Sequence, residues 1–281
     1  MVKKMIYLNP EILSALGDDT FWMWFKREFP NSSFDIPEYL NSDDVILQYS
    51  TLGFANRAGK SIALLWELYP EMKYQLKSNE WDARIEKTFE CAKFSTYRVA
   101  STRFTVPFYK QFGRVDILPI GVDTDLFRPI DDKENLRKKY KIPLDKTVGI
   151  WCGTTHRMKG FHQLREYAEK HPDIYWIIIW KTEEEAGHLP GAKEFVQVPQ
   201  KVLSELLNCA DFYLSCSLLR PYYMVEWEAM ACNIEMRILG DIEKDFVPSS
   251  NPRKDVFLHG WDRNTTKKLW SDYLKRRGIS W

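Results

Sequence analysis

The stretch VDILPIGVDTDLFRP, Val115 to Pro129, followed by NLRKKYKI at 135–142 and VGIWCGTTHRMKG at 148–160, decides how this chain is read. VDILPI has the apolar content of a strand, which Pro119 and Gly121 close. Asp123-Thr124-Asp125 suits a turn, because short carboxylate side chains bond the backbone just beyond them and cap the next turn. NLRKKYKI reads as a short basic helix, and TVGIWCG at 147–153 as a second strand. That strand runs into Gly153-Thr154-Thr155-His156-Arg157-Met158-Lys159-Gly160 and then a helix. A strand-to-helix turn of this kind presents amides and cationic side chains to an anion.

Outward from that junction, short apolar runs alternate with helical patterns, which argues for parallel β-α-β units. Before it, strands are expected at 5–8, 45–49, 62–68, 98–102 and 115–120. After it they are expected at 147–153, 174–181, 195–198 and 212–217, with helices near 160–170, 201–209 and 224–232. The organisation expected is a first Rossmann-like domain over 1–120, joined by a helix over 264–281, and a second over 121–263. TTKKLWSDYLKRR has the helical pattern for that returning segment, with Thr265 or Thr266 as N-cap and Gly278 as stop.

At 281 residues the chain is long enough for two domains with cores of their own. With 44% hydrophobic and 28% charged residues it has the composition of a globular protein, not a disordered one. A net charge of +1 does not announce a nucleic-acid binder. Cys91, Cys152, Cys209, Cys216 and Cys232 form no C-x-x-C pair, so a reducing, cytoplasmic compartment is expected. WIIIW at 176–180 is far shorter than the roughly 20 apolar residues of a spanning helix, so any membrane association is expected to be peripheral. The opening MVKKMIYLNP has too short an apolar run for a signal peptide.

Pro119, Gly121, Val122, Asp123, Phe127 and Pro129, then NLRKKYKI, then Gly153, Lys159 and Gly160, come in order in a pattern that resembles the GT-B glycosyltransferases related to glycosyltransferase family 4. A second motif, LLRPYYMVEWEAMACN at 218–233, is similar to that family's Glu-x7-Glu element. The resemblance covers about residues 115–240 and implies an α/β GT-B fold. Two Rossmann-like domains would face each other across a cleft, with the C-terminal helix returning to the first. It implies a retaining, metal-independent transfer of a sugar from a nucleoside diphosphate, the sugar nucleotide being substrate and no cofactor being needed. Gly153, Thr154, Arg157, Lys159 and Gly160 would receive the diphosphate, Glu228 the ribose, and the amides around Tyr222 and Tyr223 the phosphate or sugar. Lys159 and Arg220 would act on the reacting groups. Two departures stand out: Thr154 replaces an arginine of the family, and Arg220 replaces the first glutamate.

Three alternatives stand beside this reading. GFANRAGKS at 53–61 looks like a P-loop, but its glycines are six apart and a strand-like IALLWEL comes next. Asp123 and Asp125 match a metal-holding Asp-x-Asp, although their flanks favour a structural turn. The changes at Thr154 and Arg220 suggest a catalytically silent sugar-nucleotide or glycan-binding module. The acceptor stays open: a glycan, a lipid-linked glycan or, as a further variant, a modified nucleic-acid base met by Arg98, Arg103, Lys110, Arg114 and the C-terminal KRR. Phe21, Trp22, Trp24, Phe25, Trp66 and Trp81 could stack on it, though most belong to a core.

Overall fold

The structure, a computed structural model, describes residues 5–9, 18–37, 40–49, 60–66, 68–240, 243–244 and 246–279. It divides into two compact units, one of Met1–Gly121 with Asn264–Trp281, the other of Val122–Arg263.

The first unit runs β1 (Ile6–Asn9), α1 (Asp18–Glu28), β2 (Ser32–Ser33), β3 (Val45–Tyr49), β4 (Lys60–Leu64), α2 (Tyr69–Leu76), α3 (Asp82–Phe94), β5 (Tyr97–Ala100), α4 (Val106–Tyr109) and β6 (Asp116–Ile117). Its sheet has the order β2-β1-β3-β4-β5-β6, every pair parallel. Phe21, Trp22, Trp24, Phe25 and Trp66 are all buried in its core. They stabilise the fold by burying apolar area and are not offered to a ligand. Trp81 instead stacks on Tyr69, ring centroids 5.3 Å apart.

The P-loop-like glycines lie among residues 53–59, outside the described residues. Lys60 and Ser61, which would close such a motif, are the first residues of β4, where a phosphate-binding helix is required. The strand expected at 62–68 ends at Leu64. The basic residues also have structural work. Arg98 donates to the carbonyls of Ala92 and Ser95 and so closes the end of α3. Arg114 and Arg277 both pair with Asp116.

The second unit runs α5 (Lys133–Tyr140), β7 (Val148–Gly153), α6 (Phe161–Lys170), β8 (Tyr175–Trp180), β9 (Lys193–Val196), α7 (Gln200–Cys209), β10 (Phe212–Ser215), α8 (Met224–Ala231), β11 (Glu235–Ile238) and α9 (Pro252–Leu258). Its sheet has the order β11-β10-β7-β8-β9, again all parallel. β7 lies at the centre because VGIWCG is covered on both faces.

The helix α10 (Arg263–Arg276) returns the chain to the first unit. Trp270, Tyr273 and Leu274, spaced as one helical face, sit in the core with Phe21 and Phe25. Trp270 lies 5.4 Å from the Phe25 ring, edge on. Gly121 makes this docking possible: its φ is +88°, and a Cβ there would lie 2.9 Å from Thr266 Oγ1. Lys60 Nζ donates to the Arg277 carbonyl at 3.1 Å, satisfying the end of α10.

Candidate functional site

In a parallel sheet of this order, the connections leaving β7 and β10 diverge to opposite sides and open a crevice at the carboxyl ends of those two strands. The Gly153–Gly160 loop leaves β7, and the Ser217–Tyr223 loop leaves β10. The two motifs singled out in the sequence therefore meet at one edge of one sheet.

The two loops are bonded together. Leu218 N donates to the Met158 carbonyl at 2.9 Å, and Cys216 Sγ to the Lys159 carbonyl at 3.8 Å. Gly160, at φ +71°, is where they touch most closely, because a Cβ there would stand 1.8 Å from the Cys216 carbonyl oxygen. Gly153 ends β7, and the next residue, Thr154, is half-buried.

Within the loop, Arg157–Lys159 form a single 3-10 turn. Here the structure corrects the expectation that the loop amides stand ready for phosphate. Thr155 N and Oγ1 both donate to Glu185 Oε1, at 2.9 and 3.3 Å. The Met158 amide donates to His156 Nδ1, the Lys159 amide to the His156 carbonyl, and the Gly160 amide to the Arg157 carbonyl. The amides of Thr155, Met158, Lys159 and Gly160 are thus engaged within the protein, and the cations Arg157 and Lys159 stand in the same turn. Arg157 is exposed, and Lys159 and Arg220 are half-buried. Lys159 Nζ sits 3.0 Å from the centre of the Tyr223 ring, a cation–π contact.

The start of α8 is likewise committed. Tyr223 N donates to Glu226 Oε2 at 2.5 Å, and the Ser215 hydroxyl donates to the other oxygen of that carboxylate. Glu226, 2% exposed, thus fixes the helix start to the end of β10. The Tyr222 hydroxyl donates to the Phe246 carbonyl at 2.8 Å, and its side chain is buried. Lys244, itself buried, donates to the Leu219 carbonyl at 2.7 Å and holds the loop that carries Arg220. Glu226 and Lys244 were not singled out in the sequence. A glutamate three residues after Tyr223 was a legible capping signal; Lys244 had none.

Glu228 is 5% exposed, and burial pushes its carboxyl up to about 7 against the pull of Arg263. Burial also pushes the Cys152 thiol up to about 12, with Lys159 lowering it and Glu228 raising it. Cys152 of β7 therefore lies within electrostatic reach of both Lys159 and Glu228, the two groups assigned to diphosphate and ribose. A thiol so shifted is no nucleophile at neutral pH.

The Asp123 carboxylate accepts the amides of Asp125 and Leu126 and pairs with Arg263, a turn cap. Among the described residues there is no group of three or more His, Cys, Asp or Glu placed to hold a metal ion. Arg253 ties this turn to α8, donating to the Phe127 carbonyl at 2.9 Å, the Thr124 carbonyl at 3.1 Å and the Ala231 carbonyl.

No family model matches the chain. A stretch of 125 residues is 27% identical to a Bacillus subtilis (strain 168) protein named as the teichuronic acid biosynthesis glycosyltransferase TuaC. That match takes in 42% of this chain and 31% of the relative, so the chain spans about a third of that protein's length. In fold the chain is similar to Anabaena Alr3699/HepE solved with UDP and glucose, with a TM-score of 0.71, 13% identity, and 97% of this chain and 100% of that chain covered. The UDP-glucose complex of the same protein gives a TM-score of 0.69 at 14% identity, covering 97% and 99%. Sucrose-phosphate synthase from Thermosynechococcus elongatus gives 0.61 at 14%, covering 83% of this chain and 73% of that one. The chain has the fold of the GT-B glycosyltransferases, two Rossmann-like units, as the junction motif implied. Among the described residues no helix is long and apolar enough to cross a membrane.

Proposed function

We propose that the chain is a glycosyltransferase that moves a sugar from a nucleoside diphosphate to an acceptor. The observation that carries this reading is that the loops bearing Lys159 and Arg220 leave the carboxyl ends of the neighbouring strands β7 and β10 and are hydrogen-bonded to each other, with Glu228 buried in the helix that follows. The full-length likeness in fold to a protein solved with UDP-glucose adds support and makes that compound the first donor to try. Lys159, Arg157 and Arg220 offset the charge that grows on the departing diphosphate, and Glu228 accepts from the ribose diol.

In the retaining course proposed, the acceptor hydroxyl oxygen bonds to the anomeric carbon on the face the phosphate leaves. The bond from that carbon to the phosphate oxygen breaks, and the hydroxyl proton passes to that oxygen. No protein nucleophile takes part and no metal is required.

Calorimetry with UDP-glucose tests the donor site. Wild type is expected to bind, and Lys159→Met to bind about 10- to 100-fold more weakly, the value of one or two charge-assisted hydrogen bonds. No binding, or unchanged binding by the variant, overturns the assignment.

The silent-module reading has its own support, since Glu185 holds the Thr155 amide and the Tyr223 ring covers Lys159. Under that reading, Glu185→Gln and Tyr223→Ala tighten UDP-glucose binding while no variant, and no wild-type sample, releases UDP over hours. Release of UDP by wild type, lost in Glu228→Ala, decides for the enzyme.

A further inference from the structure

The loop that leaves β10 is held from two sides. On one, Leu218 N donates at 2.9 Å to the Met158 carbonyl, in the loop leaving β7. On the other stands the chain that leaves β11, the strand that flanks β10 opposite β7. There Lys244 Nζ donates to the carbonyls of Ser217, at 3.4 Å, and Leu219, at 2.7 Å. Close behind it, the Phe246 carbonyl accepts from the Tyr222 hydroxyl, and the two rings meet edge on with centroids 5.3 Å apart.

Lys244 is unusual for a lysine. It is 8% exposed, and among the described residues no carboxylate pairs with it. Burying an ammonium is costly, and an apolar side chain of the same length would fill the space without that cost. What the charge adds is a grip on two carbonyls that a methionine could not make. The Ser217 hydroxyl accepts the Leu219 amide at 3.1 Å, a turn that brings both carbonyls to the one ammonium.

Arg220 lies between these anchors. Leu219 before it is fully buried and held by Lys244, and Tyr222 beyond it is held by Phe246. Pro221 fixes its own φ and steers the backbone of Arg220 away from the helical region. Arg220, itself half-buried, is thus carried on a backbone with few ways to move. A cation held in this way meets the diphosphate without first having to be ordered.

We propose that Lys244 is a positioning residue for sugar-nucleotide binding, acting through Arg220 and touching no part of the substrate. The proposal rests on the donor reading of the site, which assigns Arg220 to the diphosphate.

Calorimetry with UDP-glucose on the whole protein, well below the melting temperature of each variant, tests it as a double-variant cycle. Lys244→Met is expected to raise Kd about tenfold, the worth of one charged hydrogen bond, and Arg220→Ala to raise it by at least as much. The double variant is expected to bind no more weakly than Arg220→Ala alone, since a residue that acts through Arg220 then has nothing left to position. A general loosening of the unit would instead weaken binding in both backgrounds alike. Tyr222→Phe, which releases the second anchor and keeps the ring, is a second variant expected to show the same dependence on Arg220. Wild-type protein that binds no UDP-glucose overturns the donor reading and the proposal with it. Wild-type binding that Lys244→Met and Tyr222→Phe leave unchanged, or losses that add to that of Arg220→Ala, overturn the positioning role alone.

Discussion

Gly160→Ala is expected to unfold the second unit, or to cost it at least about 4 kcal/mol, in a urea titration that leaves the first unit's transition in place. The added methyl would stand 1.8 Å from the Cys216 carbonyl oxygen, a backbone atom at the end of a central strand that cannot swing aside. The residue's φ of +71° adds about 1–2 kcal/mol for any side chain. Against a stability of roughly 5–15 kcal/mol for a whole domain, overlap and backbone strain together are decisive. A loss under about 1 kcal/mol would mean that the two loops do not meet as described.

Glu228→Gln is expected to strengthen the fold and weaken the site together. In the unfolded chain this carboxyl titrates near its ordinary 4.5; in the folded protein burial holds it to about 7. The native state therefore binds more protons between those values, and stability falls as pH rises from about 4.5 to 7. Above pH 7 the folded protein bears a cost of about 3 kcal/mol for an ionised, buried carboxylate. Glutamine removes that cost, so at pH 8 the second unit should melt about 5–10 °C higher than wild type, with little difference at pH 4. The same variant should lose about 100-fold in UDP-glucose affinity, because the amide offers the ribose one acceptor in place of two. Wild-type affinity should itself rise as pH passes through 7. Equal pH dependence of melting in the two proteins would place the raised carboxyl elsewhere.

The second unit was the more legible in sequence, for a physical reason. Strands buried on both faces are short apolar runs, and VGIWCG and YWIIIW were found within a residue of their ends. The edge strand Glu235–Ile238 was missed because EMRI has no such run; its place comes from backbone pairing with β10, and Arg237 lies over the Phe212 ring at 3.8 Å. The two-residue strand Ser32–Ser33 was missed for the same reason. The family resemblance singled out Lys159, Arg220 and Glu228, and the structure brings the loops and the helix that carry them to the carboxyl ends of β7 and β10. It did not reveal that Glu185, 30 residues from Thr155, accepts the Thr155 amide, since a crossover between strands brings them together. Nor could it show that the Tyr222 ring turns inward, which depends on Phe246.

The return of α10 to the first unit also sets an order of events during synthesis. The first unit's core lacks Trp270, Tyr273 and Leu274 until the whole of the second unit has been made. The second unit is continuous in the chain and can close as soon as its own residues have emerged, so the unit synthesised first is the one completed last. Throughout that interval Phe21, Phe25 and their neighbours stay partly uncovered, a window in which a growing chain of this topology is open to aggregation and to chaperones.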